Sequence, residues 1–182
     1  HKLSSKLSSD IQLTENNGKI KNIVFILGES TNRNHMHLYG YPIPNTPNFD
    51  AMQQKGELSV FRDCISPHST TIAVLSKLFT FCDHESDKDW YEYNNLIDVM
   101  NTAGYKTHWL SNQESSGIWG NVAQIFANRS TTKVFTRMRE SHEENTTLDE
   151  ALFPLVDRLA AHFEHHTGHD LNIRRYYRQF DY

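Results

Sequence analysis

The segment Asn22–Gly28 reads NIVFILG and is the stretch that best indicates the fold. Five consecutive apolar residues, Ile23 to Leu27, come directly before a glycine, without the alternation of a strand that has one face in water. Such a run is typical of a strand buried on both faces of a parallel sheet. We therefore predict a buried strand here, in a protein that combines a parallel sheet with helices.

The residues that follow alternate between helix and strand patterns. A helix is predicted after Thr46, which is a good N-cap, with Pro47 at its first position and Gly56 as its stop. Leu58–Ile65 is predicted as a strand, and a further helix has its first turn near Thr70. The same reasoning predicts three more helices and one more strand: Tyr93–Ala103, Gly120–Asn128, a helix opened by the capping box Thr147–Glu150 and running to Phe163, and the strand Tyr105–Leu110. Strands that alternate with helices predict an α/β fold with a largely parallel sheet.

Composition limits the class of protein. The 182 residues, 37% of them hydrophobic, suffice for one domain with a packed core. The formal charge of -4 lacks the basic excess of a nucleic-acid binder, so we expect no nucleic-acid partner. No apolar run reaches the roughly eighteen residues that would span a bilayer. We interpret the polar residues 1–21 as a linker or tail and residues 22–182 as the domain itself, in a chain cut from a longer protein.

Two cysteines, Cys64 and Cys82, cannot form a disulfide framework. No Cys-x-x-Cys pair is present to hold a structural zinc ion. We expect both thiols to be free.

Two polar segments are candidates for chemistry. Glu29 follows the first predicted strand, where ligands collect in open α/β sheets, and it either ligates a cation or is an ordinary loop or capping residue. Ser66–Thr71 reads SPHSTT and brings three hydroxyls to the start of a helix. The positive end of a helix stabilises an alkoxide and a phosphate, although capping alone explains one such hydroxyl. A histidine group from His162 to His169 is a weaker metal-binding candidate.

Three segments together resemble one enzyme family: Asn22–Pro47, Ser66–Thr71 and Tyr105–Gln113. Gly28–Tyr41 is similar to the Gly-Glu-Ser/Thr, His and Gly-Tyr signature of the phosphoethanolamine transferases, which belong to the alkaline phosphatase/sulfatase superfamily. The Trp-x-x-Asn-Gln order that ends at Gln113 is also similar to theirs. The resemblance implies an alkaline-phosphatase-like α/β/α sandwich with a largely parallel sheet, of which this chain holds the N-terminal part.

The resemblance also implies roles for individual residues. Glu29 matches a zinc ligand, and Thr71 matches the residue that is both zinc ligand and nucleophile, with a one-residue shift to Thr70 as the alternative. Thr71 would take phosphoethanolamine from phosphatidylethanolamine as a phospho-threonine intermediate, while Zn²⁺ neutralises the alkoxide. Four further positions match contacts to the transferred group: Ser69, Thr70, Gln113 and His169.

This sequence departs from the family in its metal ligands. The family completes its zinc site with a downstream Asp-His pair, which has no counterpart before Tyr182. We therefore expect residues 1–182 alone to hold no stoichiometric zinc at Glu29 and Thr71 and to be inactive, because zinc sites use three or four ligands.

The resemblance also implies where the enzyme acts and on what. The acceptor would be lipopolysaccharide core, lipid A or periplasmic glucan, and an N-terminal transmembrane region would hold the domain at the periplasmic face of the bacterial inner membrane. Pro67 and Lys77 stand where the lipid A branch has cysteines, which favours another acceptor. Two alternatives stay open: a sulfatase or phosphodiesterase-type hydrolase of the same superfamily, and a catalytically inactive module that binds the donor.

Overall fold

The computed structural model describes residues 11–115, 121–137 and 149–167. Its helices and strands, in chain order, are α1 (Pro47–Gln54), α2 (Thr71–Leu78), α3 (Leu96–Thr102), β1 (His108–Glu114), α4 (Asn121–Ala127), β2 (Thr132–Arg137) and α5 (Phe153–Thr167). Four 3-10 turns accompany them: Arg33–His35, His37–Tyr39, Trp90–Glu92 and Asp149–Leu152. Within these ranges no helix is both long and apolar enough to cross a membrane.

The chain divides into two compact units. The first, which we call the Thr71 unit, contains the described residues 11–18, 66–115, 121–137 and 149–152. The second, the Glu29 unit, contains residues 19–65 and 153–167. The two proposed zinc ligands therefore belong to different units.

The Thr71 unit is built on a strand–helix–strand motif. β1 and β2 pair in parallel, with His108 opposite Thr132 and Ser111 opposite Phe135, and α4 provides the crossover between them. This motif confirms the predicted α/β class with parallel pairing. β1 begins at His108, three residues after the predicted start at Tyr105, and extends to Glu114. β2 was not predicted from the sequence.

Aromatic rings fill the core of this unit. Phe126 on α4 is 1% exposed, and its ring centre lies 5.2 Å from that of Phe79 and 5.9 Å from that of Trp90. Leu75 on the inner face of α2 is 4% exposed and belongs to the same cluster. The cluster also includes Val122 and Ala123, with Ile72, Ile97 and Trp109 packed against it. This packing of α2 against α4 fixes the helix that carries Thr71.

A buried polar network holds α3 in the same unit. Asn95, only 1% exposed, accepts a hydrogen bond from the Asp98 backbone N–H at 2.9 Å and so caps α3. Its side-chain amide also donates to Asp98 Oδ2 at 2.6 Å. Arg129 Nε lies 2.7 Å from both carboxylate oxygens of Asp98. Because Asn95 is the cap, α3 begins at Leu96 and not at the predicted Tyr93.

The predictions for α1, α2 and α4 are confirmed. α1 begins at Pro47 after Thr46, and Gly56 beyond its end has φ +71°, a backbone conformation that favours glycine. α2 follows Thr70, as predicted. The last helix differs, because the 3-10 turn Asp149–Leu152 precedes α5 and α5 continues to Thr167. Thr147 of the predicted capping box lies outside the described residues.

Two predicted strands are wrong. The structure assigns no strand to Asn22–Gly28 or to Leu58–Ile65. The apolar side chains from Ile23 to Leu27 are 46–57% exposed, and Phe61 is 71% exposed. A strand of a parallel sheet is stabilised by neighbouring strands and by cover on both faces, and residues this exposed have no such cover. Ile23 to Leu27 have the apolar composition of a buried strand, but composition alone does not provide neighbouring strands.

Candidate functional site

Thr71 is the first residue of α2, and its side chain is exposed. Thr70 occupies the N-cap position with extended backbone (φ -119°, ψ 141°), and its carbonyl accepts the first helical hydrogen bond from the Val74 N–H at 3.0 Å. The N–H groups of a first helical turn have no carbonyl partners within the helix and give that end a partial positive charge. The Thr71 hydroxyl therefore lies where a negatively charged oxygen is stabilised.

The loop before α2 presents the other two hydroxyls of the cluster. Ser69 and Thr70 are both exposed. Upstream, the Ser66 hydroxyl donates to the His68 carbonyl at 2.6 Å and fixes the turn that leads into the helix. Ser69, Thr70 and Thr71 are thus consecutive at one exposed loop–helix junction.

Gln113 lies near the carboxyl end of β1, with an exposed side chain and its backbone N–H donated to the Ser111 hydroxyl at 3.1 Å. Its neighbour Asn112 is 7% exposed and donates to Asp149 Oδ1 at 2.9 Å. The Thr136 hydroxyl on β2 donates to the Asn112 side-chain oxygen. Asn112 therefore holds the end of β1, a positioning role that was not predicted from the sequence, although Asn112 lies beside Gln113 in the Trp-x-x-Asn-Gln order.

In the Glu29 unit, Glu29 is exposed and lies in a tight turn. Ser30 has φ +55°, which is uncommon for a residue other than glycine, and its hydroxyl donates to Glu29 Oε1 at 3.3 Å. The Thr31 hydroxyl donates to the Glu29 carbonyl at 3.4 Å. At Gly28, an added Cβ would meet the Thr31 hydroxyl oxygen at 3.0 Å, so glycine suits the close approach of this turn. Glu29 is therefore an exposed residue of a hydrogen-bonded turn.

His37 and Leu38, which belong to the signature that begins at Gly28, are hydrogen-bonded to α1 and to the residues just before it. His37 Nδ1 lies 2.7 Å from Asp50 Oδ2. The Leu38 N–H donates to the Thr46 hydroxyl at 2.9 Å, and the His37 N–H donates to Asn45 Oδ1 at 3.0 Å. His37 thus contacts Asp50 of α1, which gives it a structural role in this unit.

A second loop of the Thr71 unit follows α2. Lys77 on the last turn of α2 donates to the Asp83 carbonyl, and its Nζ lies 3.2 Å from Cys82 Sγ. The Ser86 hydroxyl donates to the Asp83 carboxylate at 2.8 Å, and this bond, with one from the Glu85 N–H, lowers the pKa of Asp83. Cys82 is buried, Cys64 is exposed, and both are free thiols.

The proposed zinc ligands fit the metal in type but not in number. Zinc accepts a carboxylate oxygen such as that of Glu29, and a deprotonated hydroxyl such as that of Thr71, but its sites use three or four ligands. Among the described residues, no three His, Cys, Asp or Glu side chains come together in a geometry that could hold a metal ion. His169 and the side chains of His165 and His166 lie outside the described part of the chain.

The proximity of His68 and His84 was not predicted from the sequence. Their ring centres are 5.2 Å apart, with an angle of 50° between the ring planes. The two residues lie on opposite sides of α2 in the sequence, so no short motif joins them.

Comparisons with known proteins identify the family of this chain and similar proteins within it. The family model described as Sulfatase matches residues 21–166. Phosphoethanolamine transferase CptA of Salmonella typhimurium is 31% identical over 142 residues, which are 77% of this chain and 24% of CptA. Phosphoethanolamine transferase EptC of Escherichia coli K12 is 32% identical over 122 residues, which are 66% of this chain and 21% of EptC. The chain thus spans less than a quarter of the length of these relatives.

A solved structure is also similar. The crystal structure of the C-terminal periplasmic domain of E. coli EptC in complex with Zn superposes with a TM-score of 0.62 at 28% sequence identity. The superposition covers 73% of this chain and 38% of the EptC domain.

Proposed function

Because this chain belongs to the sulfatase family, we propose that it forms part of a phosphoethanolamine transferase. Its fold is alkaline phosphatase/sulfatase-like. Relatives that are named phosphoethanolamine transferases match most of its length, and these matches support the general reaction. The single observation that carries the proposal is the position of the exposed residue Thr71 at the start of α2.

Thr71 is the proposed nucleophile. Its oxygen forms a bond to the phosphorus of phosphatidylethanolamine, the bond from phosphorus to the diacylglycerol oxygen breaks, and that oxygen takes up the proton that Thr71 loses. An acceptor hydroxyl then attacks the phospho-threonine, and the Thr71 oxygen leaves and regains a proton. The start of α2 favours both steps, because its positive end stabilises the nucleophilic oxygen and the phosphoryl oxygens.

Ser69, Thr70, Gln113 and His169 are the proposed contacts to the phosphoethanolamine group. Ser69 and Thr70 precede the nucleophile at the same junction, so their hydroxyls are suited to donate hydrogen bonds to phosphoryl oxygens. The Gln113 amide offers both a donor and an acceptor, which suits a group that carries a phosphate and an ammonium. The hydrogen bonds of Asn112 to Asp149 and Thr136 hold the strand end that presents Gln113.

Zinc is proposed as the cofactor of the full-length enzyme, with Glu29 and Thr71 as two of its ligands. The E. coli EptC domain crystallised with Zn supports this choice. Zinc sites use three or four ligands, and no group of three His, Cys, Asp or Glu side chains lies together among the described residues, so the remaining ligands would come from outside them. Bound zinc would neutralise charge on the nucleophilic and phosphoryl oxygens.

The acceptor is proposed to be a glycolipid or glycan of the cell envelope, either lipopolysaccharide core, lipid A or periplasmic glucan. The proposed location is the periplasmic face of the bacterial inner membrane, with an N-terminal transmembrane region holding the domain near its lipid donor. The periplasmic origin of the EptC domain supports this location.

The proposal is tested with the full-length protein and phosphatidylethanolamine that carries an isotopic label in its head group. Peptide mass spectrometry is expected to find the labelled phosphoethanolamine on Thr71, and Thr71→Ala is expected to remove it. Thr70→Ala tests the register, because the adduct is expected to stay on Thr71 when this neighbouring hydroxyl, itself a proposed contact to the transferred group, is removed. An adduct on Thr70 would move the nucleophile by one residue. Release of free phosphoethanolamine without transfer would favour a hydrolase, and donor binding without any adduct would favour an inactive module.

A further inference from the structure

We propose that His68 and His84 form a binding site for a divalent transition-metal ion that prefers imidazole ligands, such as Zn²⁺. The two imidazoles come from the loops before and after α2, and their ring centres are 5.2 Å apart. The inference does not depend on the transferase activity, because it concerns neither Glu29 nor Thr71.

The spacing of the rings matches shared coordination. A Zn–N bond is about 2.0–2.1 Å long and the ring centre lies about 1 Å beyond the ligating nitrogen, so two imidazoles on one tetrahedral ion have centres about 5 Å apart. The two ring planes meet at an angle of 50°, so the rings are tilted and do not lie in a parallel stack. Imidazole nitrogen is a preferred ligand of zinc, copper and nickel, which sets the class of metal.

The loops that carry the two histidines are held by hydrogen bonds that do not involve the imidazole rings. The Ser66 hydroxyl fixes the His68 carbonyl at 2.6 Å. On the other side, Lys77 donates to the Asp83 carbonyl, and the Ser86 hydroxyl accepts from the Asp83 N–H at 2.9 Å. Both loops are therefore shaped without the ring contact, and the imidazoles are brought together before any ligand binds.

Both imidazoles are exposed, so an ion can reach them from solvent. Within the described ranges, no third His, Cys, Asp or Glu joins them in a metal-binding group. The protein would thus contribute two ligands, and the remaining positions would be taken by water or by an anionic oxygen. A site with open positions three residues before Thr71 is suited to bind a phosphate ester, whose oxygens are such ligands.

The test is a calorimetric titration of Zn²⁺ into the metal-free 182-residue chain, compared with His68→Gln, His84→Gln and the double variant. We expect each single variant to lose the same equivalent of bound Zn²⁺ and the double variant to lose no more than either single variant. Two separate weak sites would instead give additive losses, and simple ring packing would give no loss. Either result would overturn the proposal.

Matched controls separate this site from others. His35→Gln removes another exposed imidazole, and Glu29→Gln removes a ligand of the proposed catalytic zinc; both are expected to keep the equivalent assigned to His68 and His84. NMR signals of the His68 and His84 rings, assigned from the two single variants, are expected to shift together during the titration. If only one ring shifts, the ion is not shared and the proposal fails.

Discussion

Replacing Phe126 by alanine is expected to destabilise the Thr71 unit strongly. Phe126 is 1% exposed, and its ring lies 5.2 Å from Phe79, 5.9 Å from Trp90 and 6.5 Å from Trp109, measured between ring centres. Truncating a fully buried phenylalanine lowers the free energy of unfolding by about 3–5 kcal/mol, because apolar contacts are lost and a cavity remains. A typical domain is stable by only about 5–15 kcal/mol, so this change removes a large part of the total.

Urea unfolding followed by tryptophan fluorescence measures this loss, since Trp90 and Trp109 surround the deleted ring. With an m-value of about 2 kcal/mol per molar, the expected decrease in the unfolding midpoint is about 1.5–2.5 M urea. Phe81→Ala is the matched control, because Phe81 belongs to the same unit and is 65% exposed. Its free energy of unfolding is expected to change by about 0.5 kcal/mol or less. If Phe126→Ala shifts the midpoint no more than Phe81→Ala, the aromatic cluster does not stabilise this unit.

Three further predictions concern the site and its surroundings. Thr71→Ala in the full-length protein is expected to abolish phosphoethanolamine transfer and to change the free energy of unfolding by only about 0.5 kcal/mol, because Thr71 is exposed and is not the N-cap; transfer assays and urea unfolding check this. The pKa of Asp83 is lowered by the Ser86 hydroxyl, so this carboxylate stabilises its loop above its unfolded pKa, and the stabilisation is lost as the pH falls through the folded pKa. Ser86→Ala is expected to raise the pKa of Asp83 toward its ordinary value in a carboxyl NMR titration, and an unchanged pKa would contradict the assigned cause. A thiol assay on unreduced, denatured protein is expected to count both Cys64 and Cys82, whereas a count of zero would indicate a disulfide.

Local signals in the sequence determined most of the helices. Thr46 and Pro47 mark the start of α1, and Gly56 with φ +71° marks its end, because capping and the conformational freedom of glycine act within one turn of the chain. The same kind of signal located α2 at Thr71. The hydroxyl cluster of the candidate site was therefore visible in the sequence, since it coincides with a helix start.

Strands were predicted less well, because a strand depends on residues that are distant in the sequence. Ile23–Leu27 has the composition of a buried strand, but 46–57% of each side chain is exposed and no strand is assigned there. The short segment Thr132–Arg137 was not predicted, and it becomes β2 by pairing with β1 in parallel. Pairing needs a partner and a register, and neither is encoded by the segment itself.

The sequence by itself thus determined the α/β class, the starts of α1 and α2, and the resemblance of Glu29 and Thr71 to catalytic positions. Only the tertiary structure decided which side chains meet: Phe126 with the rings of three other segments, Asn112 with Asp149, and His68 with His84. The physical reason is the separation along the chain over which each kind of interaction acts. Capping and helix periodicity act over a few residues, whereas ring packing and buried hydrogen bonds join residues whose proximity is created by folding of the whole unit.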